Sequence, residues 1–205
     1  MHAIPMAVPQ LFEAGSSPAE KKAIRQALTA CLRQLQALNG RTRLRESEDH
    51  GQVEFLVPRA FHADSSSAEN APALESLLVC LATINLAYRR FRPGTPFLYA
   101  SPVRYDRTEV WDSTPALRAR GYGDCKSLAC DRVAELWAAG LDARPFFRFL
   151  PPEQATTDQY QFHILLLGPW GWECPSKVKG MNAPENSYFG NGASAPAPVA
   201  NTATP

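Results

Sequence analysis

The sequence has almost no net charge, no long apolar run and too few cysteines for a disulfide framework. Its 205 residues carry a formal net charge of +1. That balance gives neither the basic footprint of a nucleic-acid-binding protein nor a polybasic membrane patch. The strongest apolar runs, residues 77–82 and 164–167, are far too short to span a bilayer. We therefore expect a partner that is neither nucleic acid nor membrane.

Cysteine usage and the first residues bear on the compartment. The five cysteines are an odd number, spread along the chain. The first residues lack the basic stretch and the long apolar stretch of a signal peptide. Both features favour a reducing compartment with free thiols, and hence a cytoplasmic protein.

The composition predicts one globular domain with tails. Hydrophobic residues make up 45% of the chain and charged residues 20%, which is ordinary for a soluble fold. We expect an irregular arm over residues 1–17 and a domain over residues 18–181, with its core in residues 72–181. Residues 182–205 are mostly Ala, Pro, Asn, Thr and Ser, and we expect them to be disordered.

The first half of the domain predicts two helices and a strand. Ser17 and Pro18 are typical of a helix start, and the apolar stripe that follows predicts a helix over Pro18–Leu38. Alternation predicts a strand over residues 52–57, and a second helix is expected over residues 72–90 after a polar loop at 62–70. The arginines at 41–45 and 89–92 are interpreted as a solvated face.

Residues 109–181 carry the candidate chemistry. Gly121 and Gly123 lead to Asp124, after which a helical period begins with Cys125 and ends near Gly140. Asp124 is therefore the expected N-cap, and Cys125 the first helical residue. A helix N-terminus lowers the pKa of a thiol, and its free N–H groups can donate to an oxyanion. The structural alternative is a small buried residue on a core helix.

A thiol nucleophile needs a base, and His163 is the candidate among four histidines. It lies in residues 160–167, an apolar run of strand length. A core histidine with a satisfied hydrogen bond is the structural alternative.

The turn after this strand predicts a hairpin. A four-residue turn at 168–171 would place Leu167 opposite Trp172, so Cys174 and Ser176 share the face of His163. Glu173 would then point to the other face. A change of one residue in register would reverse that assignment, so the pattern leaves the third member of a triad open.

These residues, taken together, resemble the transglutaminase-like superfamily, in particular its bacterial and phage cysteine-peptidase type. The resemblance rests on three stretches: WDSTP at 111–115, GYGDCKSLA at 121–129, and His163 with its apolar strand, Trp172 and Pro175-Ser176. It covers roughly residues 72–181. It implies a papain-like α+β fold, with the nucleophile helix packed on an antiparallel sheet.

The resemblance also implies an activity. Cys125 would be the nucleophile and His163 the base for acyl transfer from a protein or peptide amide, without a cofactor or metal, in the cytoplasm of a bacterial cell. Where the family has Asp before Pro-Ser, this chain has Cys174, and Glu173 is the nearest acid. Either Glu173 supplies the carboxylate through a bulge, or another group orients His163. The alternative is a weak or inactive domain with a structural or assembly role, as in phage-encoded proteins, and associated with a virion.

The thiols suggest two further arrangements. Cys125, Cys130, Cys174 and His163 could form a zinc site. However, Cys125 and Cys130 are five residues apart on one helix, so their side chains point about 140° apart. A Cys125–Cys174 disulfide would require the two thiols to meet on one face.

Overall fold

The structure is a computed structural model that describes residues 3–8, 10–13, 15–38, 43–46, 53–58, 67–108, 110–149 and 162–182. Its helices are α1 (Pro18–Leu38), α2 (Ser67–Phe91), α3 (Thr114–Arg120), α4 (Cys125–Ala138) and α5 (Pro175–Val178). Its strands are β1 (Ala3–Val8), β2 (Arg43–Glu46), β3 (Val53–Pro58), β4 (Arg104–Tyr105), β5 (Tyr122–Gly123), β6 (Arg144–Phe149), β7 (Phe162–Gly168) and β8 (Gly171–Glu173). This mixture of helix and mainly antiparallel sheet confirms the α+β class.

The strands form three small sheets. One antiparallel sheet has the order β6-β7-β8, with β7 in the centre. A second antiparallel sheet has the order β1-β3-β2. A parallel pair of two residues joins β4 to β5, immediately before α4. The chain that leads into α4 is therefore held by backbone pairing.

The main core lies between the helices and one face of the β6-β7-β8 sheet. Because side chains alternate along a strand, Ile164 and Leu166 of β7 point to this face. They pack in one cluster with Leu81 of α2 and Val133 of α4, all of them fully buried. On the far side of α2, Leu28 of α1 belongs to the same cluster. The arrangement holds α4 against the central strand.

Several expected elements are confirmed. Helix α1 has the predicted bounds, and Ser17 Oγ caps it by accepting a hydrogen bond from the Glu20 N–H at 3.1 Å. Helix α4 begins at Cys125 with Asp124 as its N-cap. The predicted hairpin register is also present, with Leu167 opposite Trp172.

Other expectations are wrong. Residues 3–8 of the supposedly irregular arm form β1, an edge strand, which is the position in a sheet where a proline such as Pro5 is tolerated. Strand β2 was not predicted, and residues 67–70 begin α2 rather than ending a loop. The strand after the hairpin turn stops at Glu173 instead of reaching Ser176, because Pro175 starts the short helix α5. Apart from residue 182, the expected tail lies outside the described residues.

Helix α3 was also missed, although its start follows a known pattern. Ser113 has extended backbone and its side chain accepts a hydrogen bond from the Ala116 N–H, while Pro115 lies in the first turn. Gly121 ends the helix with a positive φ of 78°. Of the helices that the structure describes, none is long and apolar enough to cross a membrane.

Candidate active site

Cys125 is the first residue of α4, and its neighbour Asp124 fixes the start of the helix. The Asp124 Oδ1 accepts hydrogen bonds from the backbone N–H groups of Lys126 at 3.1 Å and Ser127 at 3.3 Å. These are donors that the first turn of a helix otherwise leaves unpaired. The N-terminal turn of α4, and with it Cys125, is therefore held in place by a side chain.

Asp124 also forms a buried ion pair with Lys126. The Asp124 Oδ2 contacts the Lys126 ammonium, which also donates to the Thr108 carbonyl at 3.2 Å and lies 5.8 Å from the Trp111 ring centroid. Burial raises the pKa of the Asp124 carboxyl, and the ammonium opposes that shift. Trp111, from the WDSTP stretch that carries the resemblance, packs beside this pair and against the main core.

The Cys125 thiol is neutral in the resting site. It is 8% exposed, and burial raises its pKa to about 12, with a further contribution from the Asp124 charge. The Lys126 ammonium and the backbone N–H groups of Ile164 and Lys126 oppose this shift. The expectation that the helix N-terminus gives a low pKa is wrong here, because burial outweighs the helix.

The thiol nevertheless lies against the strand that carries His163. The N–H of Ile164, the residue after His163, is close enough to lower the pKa of Cys125. Strand β8 pairs with β7 only over residues 166–168, so Ile164 lies beyond that ladder. The structure therefore brings Cys125 to the backbone of β7 beside the candidate base.

His163 is buried on the central strand, with its imidazole turned toward Cys174. The side chain is 2% exposed, and burial lowers the pKa of the imidazole to about 4, so the ring is neutral near pH 7. Its Nε2 lies 3.1 Å from Cys174 Sγ. Within the described part of the chain, no hydrogen bond joins the imidazole to Cys125.

Alternation along β7 explains this orientation. Ile164 points toward α4, so His163 and Leu165 point to the opposite face. Cys174 follows β8 and packs against Leu165 on that face, together with the partly buried Trp172 and Met181. The sequence prediction that Cys174 shares the face of His163 agrees with this placement.

Glu173 does not reach His163. Its Oε2 accepts hydrogen bonds from the Tyr99 hydroxyl at 2.7 Å and from Arg132 Nε at 3.3 Å. The β7–β8 ladder runs without a bulge, with Glu173 opposite Leu166 on the α4 face. The suggestion that Glu173 completes a triad with His163 therefore lacks the contact it requires, because the register never shifts.

Sequence reasoning missed a buried network behind the site. The fully buried Asp131 of α4 accepts hydrogen bonds from Arg89 Nη2 at 2.8 Å, Arg118 Nη2 at 2.6 Å and Thr114 Oγ1 at 2.7 Å. These partners come from α2 and α3, so the network joins both helices to α4. Arg89 was assigned to a solvated face, which is wrong because it is 6% exposed. An acidic residue three positions after the apolar Leu128 of a core helix was the available signal.

The described thiols do not gather at a metal site. Cys130 Sγ donates to the Leu78 carbonyl at 3.3 Å, in the core between α4 and α2. Cys174 Sγ instead contacts His163 Nε2 on the opposite face of the sheet. Among the described residues, no three His, Cys, Asp or Glu side chains are placed to hold a metal ion. All five cysteines are free thiols, so Cys125 and Cys174 are not joined.

No protein-family model matches the chain, and neither a curated protein nor a solved structure is significantly similar to it. The functional argument therefore rests on the geometry of the site.

Proposed function

We propose that this chain is a transglutaminase-like cysteine domain that transfers an acyl group from a protein or peptide amide, with Cys125 as nucleophile and His163 as base. The observation that carries the proposal is the position of the Cys125 thiol. It stands at the first residue of α4, beside the Ile164 N–H, one residue from His163 on the central strand. A capped helix packed on an antiparallel sheet supports a papain-like core.

The mechanism starts from a neutral pair. The Cys125 thiol attacks the amide carbonyl while the imidazole of His163 takes its proton, which forms a C–S bond and an oxyanion. The backbone N–H of Ile164, which already faces the sulfur, is the donor available to the oxyanion, whereas the N–H of Lys126 is shared with Asp124 Oδ1. The imidazolium then protonates the leaving amine as the C–N bond breaks. Water or another amine resolves the acyl-enzyme, and no cofactor takes part.

One rearrangement is required before this chemistry. The imidazole of His163 points to the face of the sheet opposite α4, so the first residues of β7 must turn to bring the ring within hydrogen-bond reach of Cys125 Sγ when substrate binds. At Ile164, β7 pairs with β6 but lies beyond its ladder with β8. Substrate binding on this β8-facing edge, beside the exposed Phe162, would drive the rearrangement.

A second candidate function is a weak or inactive domain with a structural or assembly role, such as in a phage particle. The observation that favours it is that the side chain in contact with His163 Nε2, Cys174, is a thiol rather than a carboxylate. A neutral thiol does not stabilise an imidazolium as a carboxylate does. In that case the fold is retained, and Cys125 is a buried core residue.

Site-resolved alkylation tests the reactive pair. The protein is treated with limiting iodoacetamide between pH 6 and 9, and peptide mapping gives the rate at each cysteine. Cys125 is 8% exposed, against 2% for Cys31 and 0% for Cys80, so these two serve as internal references. We expect Cys125 to react fastest, and His163→Ala to slow it at least tenfold. His62→Ala is the matched control and should leave the rate unchanged.

Acyl transfer itself is tested with a protein substrate. The protein is incubated with denatured casein and a fluorescent primary amine, and amine incorporation, ammonia release and new peptide ends are measured. Any of these products, lost in Cys125→Ala, supports the proposal. Labelling of Cys125 no faster than Cys31, together with no product, would overturn it in favour of the structural role.

A further inference from the structure

The imidazole of His163 has a close polar contact with the thiol of Cys174. Cys174 Sγ lies 3.1 Å from Nε2, and the two side chains are 5% and 2% exposed. A buried imidazole nitrogen needs a hydrogen-bond partner, and water has little access to this one. The thiol therefore occupies the position that sets the hydrogen-bonding role of Nε2.

The thiol is held in this place from both sides along the chain. On one side, Glu173 is bonded to Arg132 and Tyr99. On the other side, the Cys174 carbonyl accepts a hydrogen bond from the Val178 N–H at 3.3 Å. The backbone at Cys174 cannot move without breaking these bonds, so the hairpin holds the Cα of Cys174 beside His163.

We propose that Cys174 is the positioning residue for His163, and that its uncharged thiol keeps the Cys125–His163 pair in a weakly reactive state near neutral pH. This inference rests on the proposed function for the reactive pair. The thiol can donate S–H to Nε2 or accept Nε2–H, and so fixes the ring. Once His163 has taken the proton of Cys125, the thiol offers the new imidazolium no negative charge.

The surroundings of Cys174 suit a charged acceptor. The backbone N–H groups of Lys177 and Ser176 lie close enough to lower the pKa of the Cys174 thiol, although burial raises it overall. Ser176 Oγ is also buried and lacks a hydrogen-bond partner among the described residues. A carboxylate of similar size at residue 174 would therefore meet donors rather than only apolar atoms.

The experiment replaces the thiol by groups that differ in charge. The pKa of His163 is measured by NMR titration of the imidazole in the wild type, Cys174→Asp and Cys174→Asn, and Cys125 alkylation is followed in the same samples. An adjacent carboxylate stabilises the imidazolium, so we expect Cys174→Asp to raise the His163 pKa by at least one pH unit. Cys125 alkylation at pH 6.5 should rise at least tenfold. Cys174→Asn, which can accept a hydrogen bond but has no charge, should stay within about threefold of the wild type.

The outcomes separate this inference from the proposed function. A His163 pKa that is the same in Cys174→Asp and Cys174→Asn overturns the positioning role, whatever Cys125 does. A raised His163 pKa with unchanged Cys125 alkylation upholds the positioning role and overturns the reactive pair. If Cys174→Asp does not fold, Cys174→Ala gives the test. Loss of the contact should then shift the His163 resonances and slow Cys125 alkylation, and unchanged resonances would overturn the inference.

Discussion

The carboxylate of Glu173 lies 3.3 Å from Arg132 Nε and joins the end of β8 to the middle of α4. The Tyr99 hydroxyl donates to the same carboxylate oxygen, and the Arg132 guanidinium lies 4.6 Å from the Tyr99 ring centroid. This contact lies on the opposite face of the sheet from His163. Glu173 therefore sets the distance between the strand that precedes Cys174 and the helix that begins with Cys125.

Glu173→Gln separates this structural role from a catalytic one. Loss of the charge leaves the mostly buried Arg132 with less compensation, so we expect unfolding free energy to fall by about 1–3 kcal/mol. Cys125 alkylation should change less than threefold, because Glu173 makes no contact with His163. Urea unfolding and alkylation of the same sample measure both. Tyr99→Phe is the matched control and should lose about 1 kcal/mol. A tenfold loss of Cys125 reactivity at full stability would restore Glu173 as the orienting acid.

Asp124→Asn tests the buried pair at the start of α4. The amide oxygen can still cap the helix, but the buried Lys126 ammonium loses its counter-charge, so we expect a loss of about 3 kcal/mol in unfolding free energy. The additional change Lys126→Met should restore most of it. Because the Asp124 charge raises the pKa of Cys125 and Lys126 lowers it, the single variant should also alkylate faster at Cys125 at pH 8.

The reference thiol makes this test specific. Cys80 is fully buried between helices, so its labelling rate reports opening of the whole fold. Faster labelling of Cys125 at an unchanged Cys80 rate supports the electrostatic account. Equal acceleration of both thiols would show instead that the variant only unfolds more often.

The elements around the site were predictable because local patterns fix them. The start of α4 follows from an Asp before a helical period, and the hairpin follows from a four-residue turn between apolar runs. Side-chain alternation then predicts that Cys174 lies on the face of His163. These features depend on residues that are close in sequence.

The electrostatics of the site were not predictable in the same way. Burial decides the pKa of Cys125, and burial depends on how α4 packs on β7, about forty residues further along the chain. The Asp131 network likewise depends on partners from α2 and α3. Strand β1 was missed because its pairing with β3 crosses about fifty residues, and Pro5 within it and Pro9 after it indicated an irregular arm. Long-range contacts override local pattern in each case.

The buried imidazole predicts a specific dependence of stability on pH. The pKa of His163 is lowered to about 4 in the folded state, against about 6.5 when unfolded. Between these values the unfolded chain binds more protons, so stability rises with pH and is lost as pH falls from 6.5 toward 4. Relative to His163→Gln, the wild type should lose about 2 kcal/mol between pH 7 and pH 4.5.

Comparison with His163→Gln cancels the contributions of the other titrating groups to the pH dependence of stability. Burial raises the pKa of Asp112 from 3.8 to about 6. Between these values the folded chain binds more protons than the unfolded chain, so this group lowers stability as pH rises, opposite in sign to His163. Asp112 is present in both proteins, so its effect cancels in the difference. Urea unfolding at four pH values gives the two curves. Parallel curves would mean that His163 titrates normally and is not buried.

Substitution of Gly123, two residues before Cys125, tests how closely the backbone at this point approaches α3. A Cβ added there would lie 2.5 Å from Leu117 Cδ1 and 3.3 Å from Ser127 Cβ. Leu117 is fully buried and cannot simply turn away, so we expect Gly123→Ala to lower unfolding free energy by about 1–3 kcal/mol. Gly94→Ala is the matched control, because a Cβ there meets nothing within 4 Å, and it should stay within about 0.5 kcal/mol. Shortening the obstructing side chain in Gly123→Ala/Leu117→Val should recover part of the loss. Thermal unfolding of the four proteins measures this, and equal midpoints for Gly123→Ala and Gly94→Ala would show that no close contact forms before Cys125.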